Sequence, residues 1–414
     1  MPTITDLPCE IVGTILGNLD HLRFLAPALL ACRHFSTSFK ESRGVEASIL
    51  RHQMTPALLP HAVTLMEASR LPRPLINSSV LTLIDELYCS PARLAARVFA
   101  LPLPVLRSMG RTHDAIHSLA TGFATSAWQR ISPSTTGRVT LSPTEYFRFC
   151  RAFYRVELFY TAFRDPVFED NMNPWFFRRH HPWENEQLAS VYEYLEERFA
   201  EASLDVVAHD VDFGEMGIDY VTAGADNRWT QGWLSHGVEF VYNLTLADTW
   251  DAKYRMLADT SGPSDRETSL PQALQEVMDD DEDDGRRLAE YSDAELHTIA
   301  QRDNDQAEDD TDRGPYDAWR EANADRWLAD SCMFGDAAWL RERAYVFWDR
   351  ERLQNHQGGF GEDPENRRDY TEAEHKAMME SFDERSKVWQ KGGRGYWSKD
   401  DTSRVIWPRD VSSS

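Results

Sequence analysis

Cysteine is scarce in this chain of 414 residues. The five cysteines are odd in number and far apart, at Cys9, Cys32, Cys89, Cys150 and Cys332. Such spacing matches neither a disulfide framework nor the paired ligands of a structural zinc site. We therefore expect reduced thiols, no bound metal and no other cofactor.

Long apolar runs are also missing. Stretches such as ALLACRHF at 28–35 fall well short of the roughly 20 residues that a membrane span needs. The opening MPTITD lacks the basic, apolar and small-residue order of a signal peptide. With 42% hydrophobic residues, the chain can bury one large core or roughly two or three smaller ones. We expect a soluble protein of the cytoplasm or nucleus, without a membrane partner.

Positive charge is scarce too, because 44 Lys and Arg residues stand against 68 Asp and Glu, a formal charge of -24. No basic face is evident, which argues against nucleic acid as a partner. Between Asp259 and Arg313 the chain has nineteen acidic residues against five Arg, many of them in DDDEDD (279–284) and DNDQAEDDTD (303–312). Composition therefore predicts an acidic, disordered insertion over 259–314, with at most a short helix at SDAELHTIA (292–300). Whether this insertion is a solvated linker or an interaction segment stays open.

Strand signals are few. Only DVVAHDV (205–211) and RVIWP (404–408) favour strands, and HGVEFVYNLTL (236–246) fits either period. Helix signals are common, since SPTE (142–145), SDAE (292–295) and TEAE (371–374) are typical capping boxes. Apolar residues, most of them aromatic, then keep helical spacing for more than four turns after Ser142, which predicts a buried helix. The predicted fold class is mainly α, an irregular helical protein with few short strands.

Tryptophan is concentrated in one part of the chain, because all but one of its thirteen copies lie beyond residue 170. This distribution predicts an aromatic-rich core there, with an aromatic-lined ligand groove as the alternative. No internal repeat of useful length is present, so no repeat domain indicates a target.

Two clusters of polar residues are candidates for a metal site. HDVDFGEMGID (209–219) would suit a hard or borderline metal if its side chains converged, and RRHHPW (178–183) contains adjacent histidines. A strand would split the first cluster between two faces, and the two histidines favour cap or surface roles. No Gly-x-Ser-x-Gly elbow or phosphate-binding glycine loop is present, so we expect no catalytic residue. The residues of the first cluster are His209, Asp210, Asp212, Glu215 and Asp219.

The N-terminal stretch ITDLPCEIVGTILGNLDHLRFLAPALLACRHF (4–35) has two apolar stripes at helical spacing. The first is Val12, Ile15, Leu16 and Leu19, and the second is Leu22, Leu25, Leu29 and Cys32. Three short helices in about 40 residues cannot form an independent core of any size. Some of these side chains must therefore contact either the rest of the chain or a partner.

Residues 7–35 resemble an F-box. Its pattern runs Leu-Pro-x-Glu-Ile/Leu, then Ile-Leu-x-x-Leu, then spaced leucines, then Cys/Ser-Arg-x-Phe/Leu. The resemblance covers about the first 45 residues, and segments 173–199 and 340–353 also resemble parts of large F-box-like proteins of filamentous fungi. The residues at pattern positions are Leu7, Pro8, Glu10, Ile11, Ile15, Leu16, Leu19, Leu25, Leu29, Cys32, Arg33 and Phe35.

In that family three helices dock on the Skp-type adaptor of a cullin-RING ubiquitin ligase, and the remaining chain selects the target. The resemblance thus implies a non-catalytic substrate-recognition subunit that binds a Skp-type adaptor, through it a cullin, and an unknown protein target. The alternatives are an F-box-like scaffold without a ligase role, a helix trio that packs only on its own chain, and a metal-dependent hydrolase. The implied adaptor-binding residues are Leu7, Pro8, Ile11, Ile15, Leu16, Leu19, Leu25, Leu29, Cys32 and Phe35.

Four regions follow from these observations. They are an F-box-like module at 1–45, a helical region at 46–258, the acidic insertion at 259–314, and an aromatic-rich helical region at 315–414 that packs on 46–258. Pro27 departs from the family pattern, which usually has a helix former at this position. A proline inside a helix costs roughly 3 kcal/mol. It is tolerated only if the second helix begins near Phe24, which would place Leu22 in the connecting turn.

Overall fold

The computed structural model describes residues 4–72, 75–163, 172–222, 227–260, 269–275, 285–301, 312–327, 337–356, 359–360 and 371–408. Over these residues the chain forms 21 α-helices and one two-stranded antiparallel sheet, which confirms the mainly α fold class. None of the described helices is long and apolar enough to cross a membrane. The elements are α1 (Cys9–Gly17), α2 (Leu25–Ala31), α3 (Arg33–Glu41), α4 (Val45–Gln53), α5 (Leu59–Ser69), α6 (Asn77–Cys89), α7 (Pro91–Ala96), α8 (Leu103–Ile131), α9 (Pro143–Phe163), α10 (Met172–Phe177), α11 (Pro182–Val207), α12 (Val211–Glu215), α13 (Arg228–Leu234), α14 (Val238–Leu246), α15 (Trp250–Asp259), α16 (Leu270–Gln275), α17 (Asp293–Gln301), α18 (Gly314–Ala322), α19 (Ala338–Arg341), α20 (Arg350–Asn355), α21 (Glu372–Gln390), β1 (Arg394–Gly395) and β2 (Val405–Ile406).

The long helix α9 lies at the centre of the molecule, in contact with α5, α8 and α11. Its predicted capping box is present, because the Ser142 N–H donates to Glu145 Oε2 at 2.9 Å and the Glu145 N–H donates to Ser142 Oγ at 3.1 Å. These two bonds satisfy main-chain donors that have no acceptor inside the helix. The helix is buried over most of its length, as the aromatic spacing predicts.

Aromatic side chains from distant parts of the chain meet in the core. Phe149 of α9 stacks on Phe347 with ring centres 4.3 Å apart, and Phe123 of α8 stacks on Tyr194 of α11 at 4.6 Å. The largest fully buried side chains include Trp233, Trp319 and Trp348. The predicted aromatic-rich core is therefore confirmed.

The C-terminal part of the chain is joined to the helical body. Residues 344–348 are completely buried, α18 and α19 pack on α11, and α21 packs on α12. The strands β1 and β2 form a hairpin in which Arg394 pairs with Ile406 and Gly395 with Val405. A small second cluster of Val211, Trp397 and Val405 fixes this hairpin to the start of α12.

The strand predictions are right in one place and wrong in another. Residues 404–408 contain β2, but 205–211 are the end of α11, a turn and the start of α12. The side chain of Asp210 caps α12 by accepting from the N–H groups of Asp212 and Phe213, which explains why a helix begins there. Asp210 keeps a single β-bridge, to Tyr396. The ambiguous stretch 236–246 folds as α14.

The prediction of a disordered insertion over 259–314 is wrong for two of its stretches. Helix α16 buries Leu270 and Leu274, and residues 285–301 bury Leu288 and Tyr291. The apolar side chains between the acidic runs are enough to pack these stretches on the core. The short helix expected at 292–300 is α17, and Ser292 and Glu295 form its capping box. The acidic run 279–284 and residues 303–311 lie outside the described residues.

Candidate functional site

Within the first 41 residues, helix α3 packs against both α1 and α2. A single 3-10 turn at Leu22–Phe24 precedes α2, which begins at Leu25. Pro27 therefore lies in the first turn of α2, where the N–H groups have no acceptor within the helix. This is the arrangement in which Pro27 costs little, and it places Leu22 in the connecting turn.

The inner face of α1 is built for close packing. Val12 and Leu16 are buried, and Leu16 is only 3% exposed. A Cβ at Gly13 would overlap the Ser42 side chain, and one at Gly17 would lie 3.3 Å from Ser48 Cβ. Glycine at both positions lets α1 approach Ser42, which lies between α3 and α4, and Ser48 of α4.

The opposite face of α1 presents apolar side chains to solvent. Pro8, Ile11 and Ile15 share one helical face, and Ile11 is 49% and Ile15 43% exposed. Ile4, in the 3-10 turn before the helix, is also exposed. We call these four residues, Ile4, Pro8, Ile11 and Ile15, the outer stripe.

The structure separates the ten implied adaptor-binding residues by exposure. Pro8, Ile11 and Ile15 are exposed, and Leu16 and Leu25 are buried inside the chain. Leu16 therefore holds the module together and is not available to a partner in this conformation. Ile4 is not among these ten residues because it precedes the F-box-like pattern. The sequence nevertheless shows an apolar residue at this position, just before α1. The remaining residues are half-buried: Leu7, Leu19, Leu29, Cys32 and Phe35.

The module is continuous with the body of the protein. Its buried residues Leu16, Leu25 and Val45 belong to the same hydrophobic core as α8, α9 and α11. Helix α1 contacts α4, and α4 contacts α8. Part of the apolar surface of the trio is thus covered by its own chain, while the outer stripe is not.

The candidate metal ligands of 209–219 do not converge. His209 Nδ1 donates to the Trp397 carbonyl at 3.0 Å, and Asp212 pairs with Arg394. Asp219 Oδ1 accepts from two main-chain N–H groups of the turn that follows. Glu215 accepts from the Ser386 hydroxyl, and Asp210 caps α12. Within the described part of the chain no three His, Cys, Asp or Glu side chains are grouped as metal ligands.

The two adjacent histidines have structural positions. His180 is buried, with its ring between the Tyr88 hydroxyl and Asn185 Oδ1. Burial and the nearby Arg155 lower the pKa of His180 well below its usual range, so the ring is neutral. The expected cap or surface role is therefore wrong for His180, whereas His181 is the N-cap of α11.

A buried group of charges joins α9 to α11. Arg151 and Arg155 both reach Glu184 Oε1, at 2.6 and 3.4 Å. Burial alone would raise the pKa of Glu184, but the two guanidinium groups hold it well below its usual range. These charges are paired inside the fold and closed to solvent, so their arrangement is structural.

One surface cleft, with a volume of about 430 Å³, lies beside the N-terminus of α9. Arg352 donates to both oxygens of Glu145 at 2.6 Å, and Asp349 pairs with Arg148 at 2.7 Å. The charged groups of the cleft thus hold the C-terminal segment on α9. Its lining residues are Trp128, Ser142, Glu145, Asp349, Glu351, Arg352, Asn355 and His356.

Comparison with known proteins identifies no relative. No family model matches the chain, and no curated protein and no solved structure matches it. The assignment of function therefore rests on the chain's own residues and their geometry.

Proposed function

We propose that this protein is a substrate-recognition subunit of a Skp/cullin/F-box ubiquitin ligase, and that the outer stripe binds the Skp-type adaptor. The observation that carries the proposal is the exposure of Pro8, Ile11 and Ile15 on one face of α1. These are conspicuous positions of the F-box-like pattern, and they are apolar although they are exposed to solvent.

Single exposed apolar residues are normal on a protein surface, but an aligned row is less so. The three residues stand at i, i+3 and i+7, so they form one continuous strip along the helix. The neighbouring polar face contains Glu10, Thr14 and Asn18, where Thr14 and Asn18 bond to main-chain carbonyls of α1. Helix α1 therefore has a buried face, a polar face and an apolar face that suits a partner.

In this function the chain contributes binding and no chemistry. It would hold a target beside catalytic groups of other subunits, so that proximity accelerates ubiquitin transfer. The helical body would contact the target and the N-terminal module the adaptor. A scaffold that binds the adaptor without a ligase role is the second candidate, because both functions need the same contact between the outer stripe and the adaptor.

The deciding experiment compares Ile15→Asp with the matched control Thr14→Asp, which puts the same charge on the adjacent polar face. The tagged full chain is purified from cell extract, and adaptor recovery and thermal melting are measured. Ile15→Asp should reduce adaptor recovery at least about tenfold, because a carboxylate would be buried at the interface without a partner. Since both positions are exposed, both variants should melt within about 3 °C of wild type.

Three results would contradict the proposal. Wild-type protein could recover no adaptor, Ile15→Asp could recover as much as wild type, or Thr14→Asp could lose as much as Ile15→Asp. Recovery of a cullin and a ubiquitinated target with wild type, both lost in Ile15→Asp, would favour the ligase subunit over the scaffold.

A further inference from the structure

The end of the chain carries a basic surface on an otherwise acidic protein. Residues 386–408 contain five Lys and Arg against two Asp, whereas the whole chain has 44 against 68. All five basic side chains are exposed. We call the exposed side chains of 386–408 the C-terminal basic surface.

Apolar and aromatic groups lie among these charges. Ile406 is 69% and Trp407 49% exposed, and the Arg394 guanidinium lies 5.2 Å from the centre of the Trp389 ring. Arg394 and Ile406 are opposite each other in the hairpin, so their side chains share its outer face. Across the hairpin, Arg404 lies 3.9 Å from the centre of the Tyr396 ring. Trp and Arg are the residues most enriched where binding energy concentrates.

Two of the five cations form ion pairs among the described residues, and three do not. Lys387 pairs with Glu384 and Arg394 with Asp212, but none of the ion pairs among the described residues includes Lys391, Lys399 or Arg404. Lys391 precedes β1, Lys399 lies between the strands and Arg404 precedes β2. The unpaired charges therefore surround the hairpin.

The hairpin is held in a fixed position. The Trp397 N–H donates to the His209 carbonyl at 2.8 Å, and His209 Nδ1 donates to the Trp397 carbonyl at 3.0 Å. Val405 and Trp397 are buried on Val211 beneath it. A surface that is already ordered loses little conformational entropy when it binds a partner.

We propose that the C-terminal basic surface binds an acidic peptide segment of a partner protein. Carboxylates of the peptide would meet Lys391, Lys399 and Arg404, and an apolar side chain would lie on Ile406 and Trp407. The role of this surface as the target-binding site of a ligase subunit rests on the proposed function. Its binding of an acidic peptide does not.

A peptide fits this surface better than a nucleic acid or a membrane does. Both of those are extended polyanions, and a protein of charge -24 repels them beyond the small basic area. The exposed acidic residues Glu372, Glu374 and Glu380 precede the surface on helix α21, whose C-terminal end carries Lys387, and they add to the negative charge that an extended polyanion would meet. A short segment with a few carboxylates needs only the local positive field.

The test uses the purified full chain without an adaptor, so its result is independent of adaptor binding. The ligand is a fluorescein-labelled peptide of alternating glutamate and leucine, compared with the same peptide in which glutamine replaces glutamate. Wild type should bind the glutamate peptide at least about tenfold more tightly, and the difference should shrink as added salt screens the charges. The variant K391E/K399E/R404E should lose this preference.

The matched control is R93E/R107E/R111E, which changes the net charge equally at exposed positions of α7 and α8. It should keep the peptide preference, and circular dichroism should show both triple variants folded. Equal binding of the two peptides, or equal losses in both variants, would overturn the proposal. The proposal would also be overturned if wild type bound oligothymidylate, or phosphatidylcholine vesicles with about a quarter phosphatidylserine, more tightly than the glutamate peptide, and if only K391E/K399E/R404E lost that binding. Failure here with intact adaptor recovery would leave the proposed function standing.

Discussion

His21 Nε2 lies 2.8 Å from Asp114 Oδ1, which links the turn between α1 and α2 to the middle of α8. Gln53 of α4 completes the contact, since its Nε2 donates to Asp114 Oδ1 at 2.9 Å and to the Gly110 carbonyl at 3.1 Å. The N-terminal module is thus fixed to the body by a small polar network as well as by the shared core. Under the proposed function, its orientation would determine where the body places a target relative to the adaptor.

Removal of this network should loosen the module locally. Asp114→Ala leaves His21 and Gln53 without their shared acceptor, at a cost of about 1–2 kcal/mol. Hydrogen exchange measured by mass spectrometry should become faster in α1 and α2 and stay unchanged in α9 and α11. Asp20→Ala, an exposed change in the same turn, is the control and should have no effect. Unchanged exchange in α1 would show that the core alone holds the module.

A second prediction concerns Glu157 of α9, whose carboxylate accepts from the Val238 N–H at the start of α14. Burial raises the pKa of Glu157 from the ordinary glutamate value of 4.5 to about 7, the Val238 N–H opposes the rise, and Glu239 adds to it. The folded chain therefore binds more protons here than the unfolded chain between pH 4.5 and about pH 7. The free energy of unfolding that Glu157 contributes is present below pH 4.5 and is lost as the pH rises to about 7.

Glu157→Gln removes this titration and keeps an acceptor for Val238. Urea unfolding at pH 5 and pH 8 should show the variant gaining about 2 kcal/mol relative to wild type at the higher pH. Glu201→Gln makes the same chemical change at an exposed site and should give equal differences at both values. A pH-independent difference for Glu157→Gln would contradict the assigned pKa.

A third prediction concerns the buried ion pairs of α11. Arg341 lies 2.8 Å from both Glu186 and Glu193, and Arg341 and Glu186 are each 1% exposed. Arg341→Met keeps most of the volume but removes the guanidinium that both carboxylates contact, which should cost about 3–5 kcal/mol in urea unfolding. Arg350→Met breaks only an exposed 3.6 Å pair with Asp317 and should cost less than about 1 kcal/mol. Similar losses of unfolding free energy in the two variants would show that the buried ion pairs stabilise the fold no more than an exposed pair does.

Local signals in the sequence were enough for some elements. The Ser142 and Glu145 box and the position of Pro27 each concern one turn of chain, so they predict where α9 and α2 begin. The prediction of a strand at 205–211 is wrong for the opposite reason. Val206 and Val207 look strand-forming in isolation, but they complete a helix of 26 residues whose buried face decides the conformation.

The environment of a charged side chain depends least on the local sequence. Nothing local shows that Arg151 is buried, because its partner Glu184 is on another helix. The overall acidic composition hides the C-terminal basic surface. Lys391, Lys399 and Arg404 lie around one hairpin only once β1 and β2 pair. The outer stripe could be predicted in part from the sequence, because Ile11 and Ile15 follow helical spacing. The burial of Leu16 could not, because it depends on where α3 and α4 pack.

The final prediction tests the packed part of the acidic region. Leu288 is fully buried, and its N–H donates to the Arg326 carbonyl at 2.8 Å. Leu288→Ala should therefore cost about 2–4 kcal/mol in urea unfolding, while the exposed neighbour change Glu290→Ala should cost less than about 0.5 kcal/mol. Replacement of all of 259–314 by a Gly/Ser linker should lower the melting temperature by more than about 8 °C, because it also removes Leu270, Leu274 and Tyr291 from the core. A wild-type melting temperature after that replacement would restore the interpretation of the whole segment as a solvated linker.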